Sequence, residues 1–157
     1  MDKREFSQRV LAMENRLYRV SCGLLREHQD RLDAVQEAVI RAWEKADGLR
    51  RKEYFETWLT RILINVCYDM LRSRKRIVPL EEAAEQPAPE GANRELCDAI
   101  QSLERDLRLM VVLHYMEGYK LREAAEILNI PIGTAKTRLL RAKRKLREQL
   151  EEREDWA

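Results

Sequence analysis

Apolar residues recur every three or four positions through most of the 157-residue chain. This spacing places them on one side of an α-helix, and strand-like alternation is absent. The first such segment covers residues 6–24, and a polar break at residues 28–31 separates it from the second, residues 32–46. A third covers residues 55–70. The pattern therefore predicts an all-α protein that begins with three amphipathic helices.

The second segment is predicted to bury one face and expose the other. Its inner face would be Leu32, Val35, Val39, Ala42, Trp43 and Ala46. The opposite face is polar except for Ile40. From periodicity alone, Ile40 is either an incidental exposed apolar residue or the centre of a partner contact.

Residues 79–91, PLEEAAEQPAPEG, interrupt the helical pattern. They contain three prolines, four glutamates and no basic residue, a composition typical of a linker. Asn93 then stands where it could cap a following helix. We therefore predict two small helical domains, residues 1–78 and 93–157, joined by an acidic, proline-containing linker over residues 79–92.

The strongest local signal lies at residues 121–147. Ala124, Ala125 and Leu128 repeat at helical spacing. The Asn129-Ile130-Pro131 stretch then ends the helix, because Asn tolerates a left-handed backbone and Pro cannot continue a helix. A second helix opens immediately afterwards, and the small side chain of Ala125 lets the two helices cross closely. This arrangement predicts a helix-turn-helix.

The second of these helices has chemically opposite faces. Its inner face carries Ala135, Leu139, Ala142 and Leu146. Its outer face carries Lys136, Arg138, Arg141, Lys143, Arg144, Lys145 and Arg147. No acidic residue lies between Gly133 and Arg147. Such a helix suits a DNA major groove lined by phosphates; a solvated basic surface on a helical bundle is the alternative interpretation.

A second basic region surrounds the third predicted helix. A basic loop covers residues 49–53, and the helix ends in the basic run at residues 72–76. Asn65 and Tyr68 lie on its outer face. Cationic residues beside amide and aromatic side chains favour single-stranded nucleic acid, whose bases stack and whose phosphates are neutralised.

Charge and cysteine content refine this picture. The formal net charge is only +2, so the distribution of basic blocks, and not the total, indicates nucleic-acid binding. No apolar run is long enough for a membrane span, and the polar amino terminus does not resemble a signal peptide, so we expect a cytoplasmic protein without membrane insertion.

Cys22, Cys67 and Cys97 are widely separated and form no metal motif. We expect buried free thiols, no metal and no cofactor.

Three stretches together resemble an RNA polymerase sigma factor of the extracytoplasmic-function (ECF) type. AVQEAVIRAW at residues 34–43 resembles the helix that binds the polymerase clamp. FETWLTRILIN at residues 55–65, followed by Asp69 and Arg72, resembles the promoter-melting helix. IPIGTAKTR at residues 130–138 resembles the recognition helix at the carboxy terminus. Their order, their spacing and the acidic linker all agree with this family.

The resemblance implies both the fold and the function. The expected fold is a sigma region 2 helical bundle followed by a sigma region 4 helix-turn-helix. A protein of this kind binds core RNA polymerase and directs it to promoter DNA by recognising minus-ten and minus-thirty-five elements. An anti-sigma factor is a further partner that the family implies.

The resemblance also implies three sets of site residues. In the minus-ten set, Leu49, Ile62 and Asn65 would form a pocket for a flipped base. The whole minus-ten set is Leu49, Arg50, Arg51, Lys52, Arg61, Ile62, Asn65 and Arg72. The minus-thirty-five set is Thr134, Lys136, Thr137, Arg138, Leu140 and Arg141. The clamp-binding set is Asp33, Gln36, Glu37, Ile40 and Arg41.

Two other classes of protein compete with this interpretation. A helix-turn-helix regulator with a helical dimerisation domain, acting without being a polymerase subunit, would explain the second half of the chain. It would leave the basic loop and the Asn65 face of the first domain unexplained. An enzyme is not expected, because the sequence shows no paired carboxylates, nucleophile–base pair, phosphate loop or metal cluster.

Overall fold

The computed structural model describes the backbone of residues 1–77 and 94–154, and side chains within residues 1–73 and 98–151. These residues form helices and turns, and no strand occurs among them. The chain divides into two compact units, Met1–Gln86 and Pro87–Ala157. The prediction of an all-α protein with two helical domains is confirmed, whereas the predicted linker lies outside the described residues.

The first unit contains three helices, α1 (Lys3–Cys22), α2 (His28–Glu44) and α3 (Phe55–Ile77). Short 3-10 turns, Ala46–Gly48 and Lys52–Tyr54, connect α2 to α3. Each of the three helices packs against the other two. The described core side chains of α3 are large and apolar, so this helix forms the centre of the unit. They are Phe55, Leu59, Ile62, Leu63, Ile64, Val66 and Cys67.

The predicted polar break at residues 28–31 is wrong, because these residues form the first turn of α2. The chain between α1 and α2 lies earlier, at residues 23–27, and includes Leu24 and Leu25, both buried. Apolar residues in a connecting segment extended the helical pattern beyond the true end of α1. The polar residues that follow belong to a helix amino terminus, where acidic and polar groups are stabilised.

The predicted inner face of α2 is only partly right: Ala42 is buried and Val35 and Val39 are half-buried, but the centre of the contact is shifted towards Ala34 and Ala38. Ala34, Ala38 and Ala42 are fully buried, whereas Leu32 and Trp43 are 44% and 45% exposed. Alanines at a spacing of four let the backbone of α2 approach its neighbours closely. The larger side chains therefore lie at the edges of the contact, and the Trp43 ring packs against Phe6 with 5.0 Å between ring centroids.

The second unit contains α4 (Arg94–Ser102), α5 (Arg105–Val111), α6 (Leu121–Leu128) and α7 (Ile132–Glu154). A π-helical turn, Val112–Met116, continues α5. One core cluster joins α4, α5 and α7, and Leu146 packs against it. Its buried members are Ile100, Leu103, Leu107, Val111 and Ala142.

The predicted helix-turn-helix is formed by α6 and α7. The backbone N–H of Lys120 donates to the Glu123 carboxylate at 3.0 Å and so caps the start of α6. Asn129 ends α6 in the left-handed conformation, with φ 56° and ψ 49°. Ile130 N–H then donates to the Ala125 carbonyl at 3.0 Å, which satisfies a carbonyl at the helix end. The predicted role of Asn129 as the breaking residue is confirmed.

Candidate nucleic-acid interfaces

The outer face of α7 presents unpaired positive charge. Its inner face is anchored by Ala135 and Ala142, both fully buried. Lys136 and Arg141 are exposed on the other side, and neither forms an ion pair with another described residue. Leu140 lies beside them and is 64% exposed. This arrangement offers cations for phosphates or base edges and an apolar group for a thymine methyl.

Three other members of the minus-thirty-five set have internal contacts. Arg138 lies 3.8 Å from the Asp106 carboxylate of α5. The Thr137 hydroxyl donates to the Gly133 carbonyl at 3.0 Å, and Thr134 is half-buried. These contacts stabilise the first turns of α7 and its position against α5.

The far end of α7 is held by polar contacts as well. Lys145 Nζ pairs with the Glu104 carboxylate at 3.1 Å. The Ser102 hydroxyl donates to the Gln149 side-chain oxygen at 2.7 Å. Helix α7 is therefore attached at its carboxy-terminal half as well, whereas Lys136 and Arg141 on its outer face are open to solvent.

The exposed face of α3 carries part of the minus-ten set. Arg61 and Asn65 are exposed and lie four residues apart, so they share one face of the helix. Ile62, by contrast, is only 9% exposed, and Leu49 is half-buried. A base bound here would meet the amide of Asn65 directly but would reach only a small part of the Ile62 side chain.

The basic loop between α2 and α3 is attached to α1. Lys52 Nζ pairs with the Glu5 carboxylate at 2.9 Å, and the Arg9 guanidinium donates to the Lys52 carbonyl at 2.9 Å. Hydrogen bonding to Lys52 is the main cause that lowers the pKa of Glu5. Arg51 lies 3.7 Å from Glu53, whereas Arg50 has no partner among the described residues. No local pattern in the sequence marks Glu5 or Arg9 as partners of this loop.

A second ion-pair network links α2 with α3. The Arg41 guanidinium donates to Glu37 at 3.2 Å and to Asp69 at 3.0 Å, and Asp69 also binds Arg72. Hydrogen bonding to Arg41 is the main cause that lowers the pKa of Asp69, and the same bond raises the pKa of Arg41. Arg41 of the clamp-binding set and Arg72 of the minus-ten set are thus joined through one carboxylate.

The remaining clamp-binding residues lie on the exposed side of α2. Asp33, Gln36 and Glu37 are exposed, and Ile40 is 47% exposed among them. Their spacing of three and four residues places them on one stripe. The result is a polar surface that contains one exposed apolar residue, which suits a protein partner.

Cys22 and Cys67 are free thiols that lie close to each other. Cys67 is buried, and burial raises the pKa of its thiol to about 12, with a smaller contribution from nearby Cys22. Cys22 is half-buried with a raised pKa, also from burial, and the Cys97 side chain lies outside the described residues. Among the described residues there is no group of His, Cys, Asp and Glu that could hold a metal ion. Nor is any of the described helices both long and apolar enough to cross a membrane.

Both units of the chain match known protein families. Residues 10–77 match the Sigma-70 region 2 family, and residues 93–146 match the Sigma-70, region 4 family. The chain is also 32% identical to the ECF RNA polymerase sigma factor SigW of Bacillus subtilis, over 95% of this chain and 90% of that protein. The chain is an ECF sigma factor of the sigma-70 family. Its function as a sigma factor is to direct promoter-specific transcription, and the alternative of an independent regulator is not favoured.

Other relatives of this sigma factor support the same family. The RNA polymerase sigma-E factor of Streptomyces antibioticus is 33% identical, over 96% of this chain and 87% of that protein. Among solved structures, the sigma factor RpoE in complex with the anti-sigma factor NepR from Bartonella quintana has a TM-score of 0.83 and 30% identity. That match covers 94% of this chain and 97% of that chain. CnrH, solved in complex with the cytosolic domain of CnrY, has a TM-score of 0.74 and 25% identity.

Proposed function

We propose that this sigma factor binds core RNA polymerase through α2, opens the minus-ten element with α3 and the basic loop, and reads the minus-thirty-five element with α7. Residues 1–78 would form the first functional domain and residues 93–157 the second. The observation that carries the proposal is the outer face of α7, where cations without acidic partners lie on the second helix of a helix-turn-helix.

Recognition of the minus-thirty-five element follows from that face. A helix in the major groove presents its exposed residues to base edges, and its flanking cations neutralise phosphates. Lys136 and Arg141 have free N–H groups that can donate hydrogen bonds to guanine O6 and N7. Leu140 offers an apolar contact for a thymine methyl group. Arg138 lies 3.8 Å from Asp106, which offsets part of its attraction to a phosphate and gives it a smaller share of the binding free energy.

Opening of the minus-ten element is assigned to the first unit. Asn65 presents donor and acceptor groups that can pair with the edge of an extruded base, and Arg61 lies one turn away to neutralise phosphate. Leu49 and the accessible edge of Ile62 would cover the base. Since Ile62 is nearly buried, we assign most of the base contact to Asn65 and Leu49.

Polymerase binding is assigned to the exposed stripe of α2. Ile40 would be the buried centre of this interface, with Asp33, Gln36 and Glu37 at its polar rim. Arg41 would contribute by its charge while it holds Asp69. The chemistry of RNA synthesis belongs to the polymerase, and we propose that this chain performs no catalytic step of its own.

Regulation and location complete the proposal. RpoE and CnrH, the two similar solved structures, were solved in complex with the anti-sigma factor NepR and with CnrY. We propose that this chain likewise has an anti-sigma partner and acts in the cytoplasm, where polymerase and promoter DNA are found.

Reconstitution with core polymerase tests the proposed function. The holoenzyme should start transcription at defined positions on promoters selected from a random library, whereas core polymerase alone should not. Asn65→Ala should reduce permanganate reactivity of thymines in the minus-ten region by about tenfold while leaving upstream contacts in place. Specific initiation without the added chain, or unchanged opening by Asn65→Ala, would contradict the proposal or its minus-ten assignment respectively.

A further inference from the structure

The basic loop that we assign to DNA opening is held by the first helix of the chain. We infer that Arg9 and Glu5 of α1 are positioning residues for promoter opening, because they fix the main chain and the ammonium group of Lys52. The inference deepens the proposed function and rests on its assignment of this loop to the minus-ten element.

Arg9 makes three contacts that together fix its guanidinium. One nitrogen donates to the Lys52 carbonyl at 2.9 Å, and another donates to the Glu5 carboxylate at 3.3 Å. The guanidinium carbon lies 5.6 Å from the centre of the Phe55 ring, at the first position of α3. A planar guanidinium can satisfy all three partners at once, which an ammonium cannot. Arg9 therefore connects α1 to the end of the loop and to the start of α3.

Glu5 completes the arrangement from the same side of α1, one helical turn before Arg9. Its Oε2 binds the Lys52 ammonium at 2.9 Å, and its Oε1 aligns Arg9. The Lys52 side chain is still 57% exposed, so a phosphate can approach it while Glu5 is bound. Glu5 thus restricts where Lys52 can meet DNA without closing the site.

A third contact supports the same attachment two turns further along α1. The Arg16 guanidinium binds the Glu56 carboxylate at 2.8 Å, at the start of α3. Elsewhere the loop is shaped by local turns, in which Leu49 N–H donates to Ala46 and Tyr54 N–H donates to Arg51. Local turns define the bends of a loop but not its position relative to a neighbouring helix, and the contacts from α1 supply that position.

Loss of the Arg9 contacts should have a modest effect, and that effect should be limited to promoter opening. Partly exposed ion pairs contribute little to global stability, so loss of Arg9 should leave the fold and polymerase binding intact. A misplaced loop affects the step that needs exact geometry, which is base capture. We expect Arg9→Gln to lower permanganate reactivity of minus-ten thymines by about fivefold in the holoenzyme, with core-polymerase affinity within about twofold of the parent protein.

The matched control is Arg4→Gln. Arg4 is exposed on the same helix, has no partner among the described residues, and its loss changes the net charge by the same amount. Its opening activity should equal that of the parent. Arg9→Lys keeps the charge but not the planar fork, so its opening should fall between those of Arg9→Gln and the parent protein.

Glu5→Gln gives an independent test, with Glu14→Gln as the charge control. Glu14 is exposed on α1 and has no partner among the described residues. Glu5→Gln should reduce opening although it removes a negative charge and therefore does not weaken binding to a non-specific single strand. If only the net charge mattered, Glu5→Gln and Glu14→Gln would bind and open DNA to the same extent.

Equal opening by Arg9→Gln and Arg4→Gln would overturn the inference. So would a loss of opening by Arg9→Gln that is matched by an equal loss of polymerase affinity, since this would show damage to the whole unit. If Asn65→Ala impairs opening and Arg9→Gln does not, the inference alone fails. If neither variant impairs opening by a holoenzyme that starts specifically, the minus-ten assignment fails as well.

Discussion

Lys136 and Arg141 of the second unit are unpaired among the described residues, whereas Lys52 and Arg72 of the first unit are held by carboxylates. On α7, Lys136 and Arg141 are exposed and make no ion pair with another described residue. In the first unit, Lys52 is bound to Glu5, and Arg72 shares Asp69 with Arg41. A surface of unpaired cations gains its full counterion-release free energy on contact with DNA, whereas a cation that stays paired with a protein carboxylate contributes less.

This difference fits two tasks with different requirements. Duplex recognition is favoured by cations that have no protein partner before contact, because their contacts with phosphates position the helix in the groove. Strand opening is better limited to a defined sequence, and cations already neutralised by the protein reduce attraction to any single strand. We therefore expect the second unit to dominate salt-dependent affinity and the first to dominate sequence-dependent opening.

The largest effect should come from removing the unpaired cations. Lys136→Ala combined with Arg141→Ala should weaken binding to a cognate minus-thirty-five element by about 100-fold, because two base or phosphate contacts are lost. The slope of log affinity against log salt should also decrease by about 1 for each of the two cations that contacts a phosphate. Fluorescence anisotropy over a salt series would measure both quantities. An equal loss of polymerase affinity would contradict the assignment of this face to DNA.

A smaller effect is expected at the α2 surface of the first unit. Ile40→Glu should reduce affinity for core polymerase by about tenfold, since a charge would replace the apolar centre of the interface. Leu11→Glu is the matched control, because Leu11 is 66% exposed on α1 and lies outside the clamp-binding set. Similar polymerase affinities for the two variants would place the interface elsewhere.

Substituting Ala for Asn129, in the turn of the helix-turn-helix, should change the free energy of unfolding by about 1 kcal/mol. Asn129 is left-handed, and Ala at this position lacks the side-chain hydrogen bonding that makes this conformation tolerable for Asn. Asn129→Ala should lower the free energy of unfolding of the second unit by that amount, and Asn129→Gly should be close to neutral. Urea unfolding would compare them. A loss as large for Gly as for Ala would show that the backbone conformation is not the cause.

The smallest stability change is expected from the paired charges. Asp69→Asn should lower the free energy of unfolding by about 0.5–1 kcal/mol at neutral pH, because Asp69 lies in a partly exposed network. The lowered pKa of Asp69 means that this contribution is present above its usual value of 3.8 and is lost as the pH falls through the folded-state pKa. The difference from the parent protein should therefore vanish in strong acid. Asp47→Asn, at an exposed carboxylate without a described partner, is the control.

Local patterns in the sequence predicted those parts of the fold that depend on neighbouring residues. The helical periodicity, the break at Asn129 and the opposite faces of α7 follow from spacing and from the conformational preference of single residues. The burial of Ala42 was predicted, but that of Ala34 and Ala38 could not be predicted from hydrophobicity, because close packing of the helices requires small residues there. The end of α1 was misplaced because Leu24 continues the apolar pattern outside the helix, and the start of α2 was misplaced because its first turn is polar.

The contacts that organise the candidate sites could not be predicted from the sequence. Arg41 meets Asp69 across 28 residues, and Glu5 meets Lys52 across 47. Such pairs depend on how helices pack, and the chain offers many other acids and bases at similar separations. The roles assigned to the three sets of site residues remain predictions, which the experiments above address.

The attachment of α7 at its far end has a mechanical consequence. The contacts of Lys145 and Gln149 with Glu104 and Ser102 lie about 6 to 20 Å along the axis from Lys136 and Arg141, at 1.5 Å per residue. Ala135 and Leu139 also pack into the unit, so the helix is supported near both of its ends. A helix with two supports resists tilting more than a helix with one. Substitutions at Ser102 or Gln149 would therefore loosen the second support and lower promoter affinity, although no side chain that reads bases is altered.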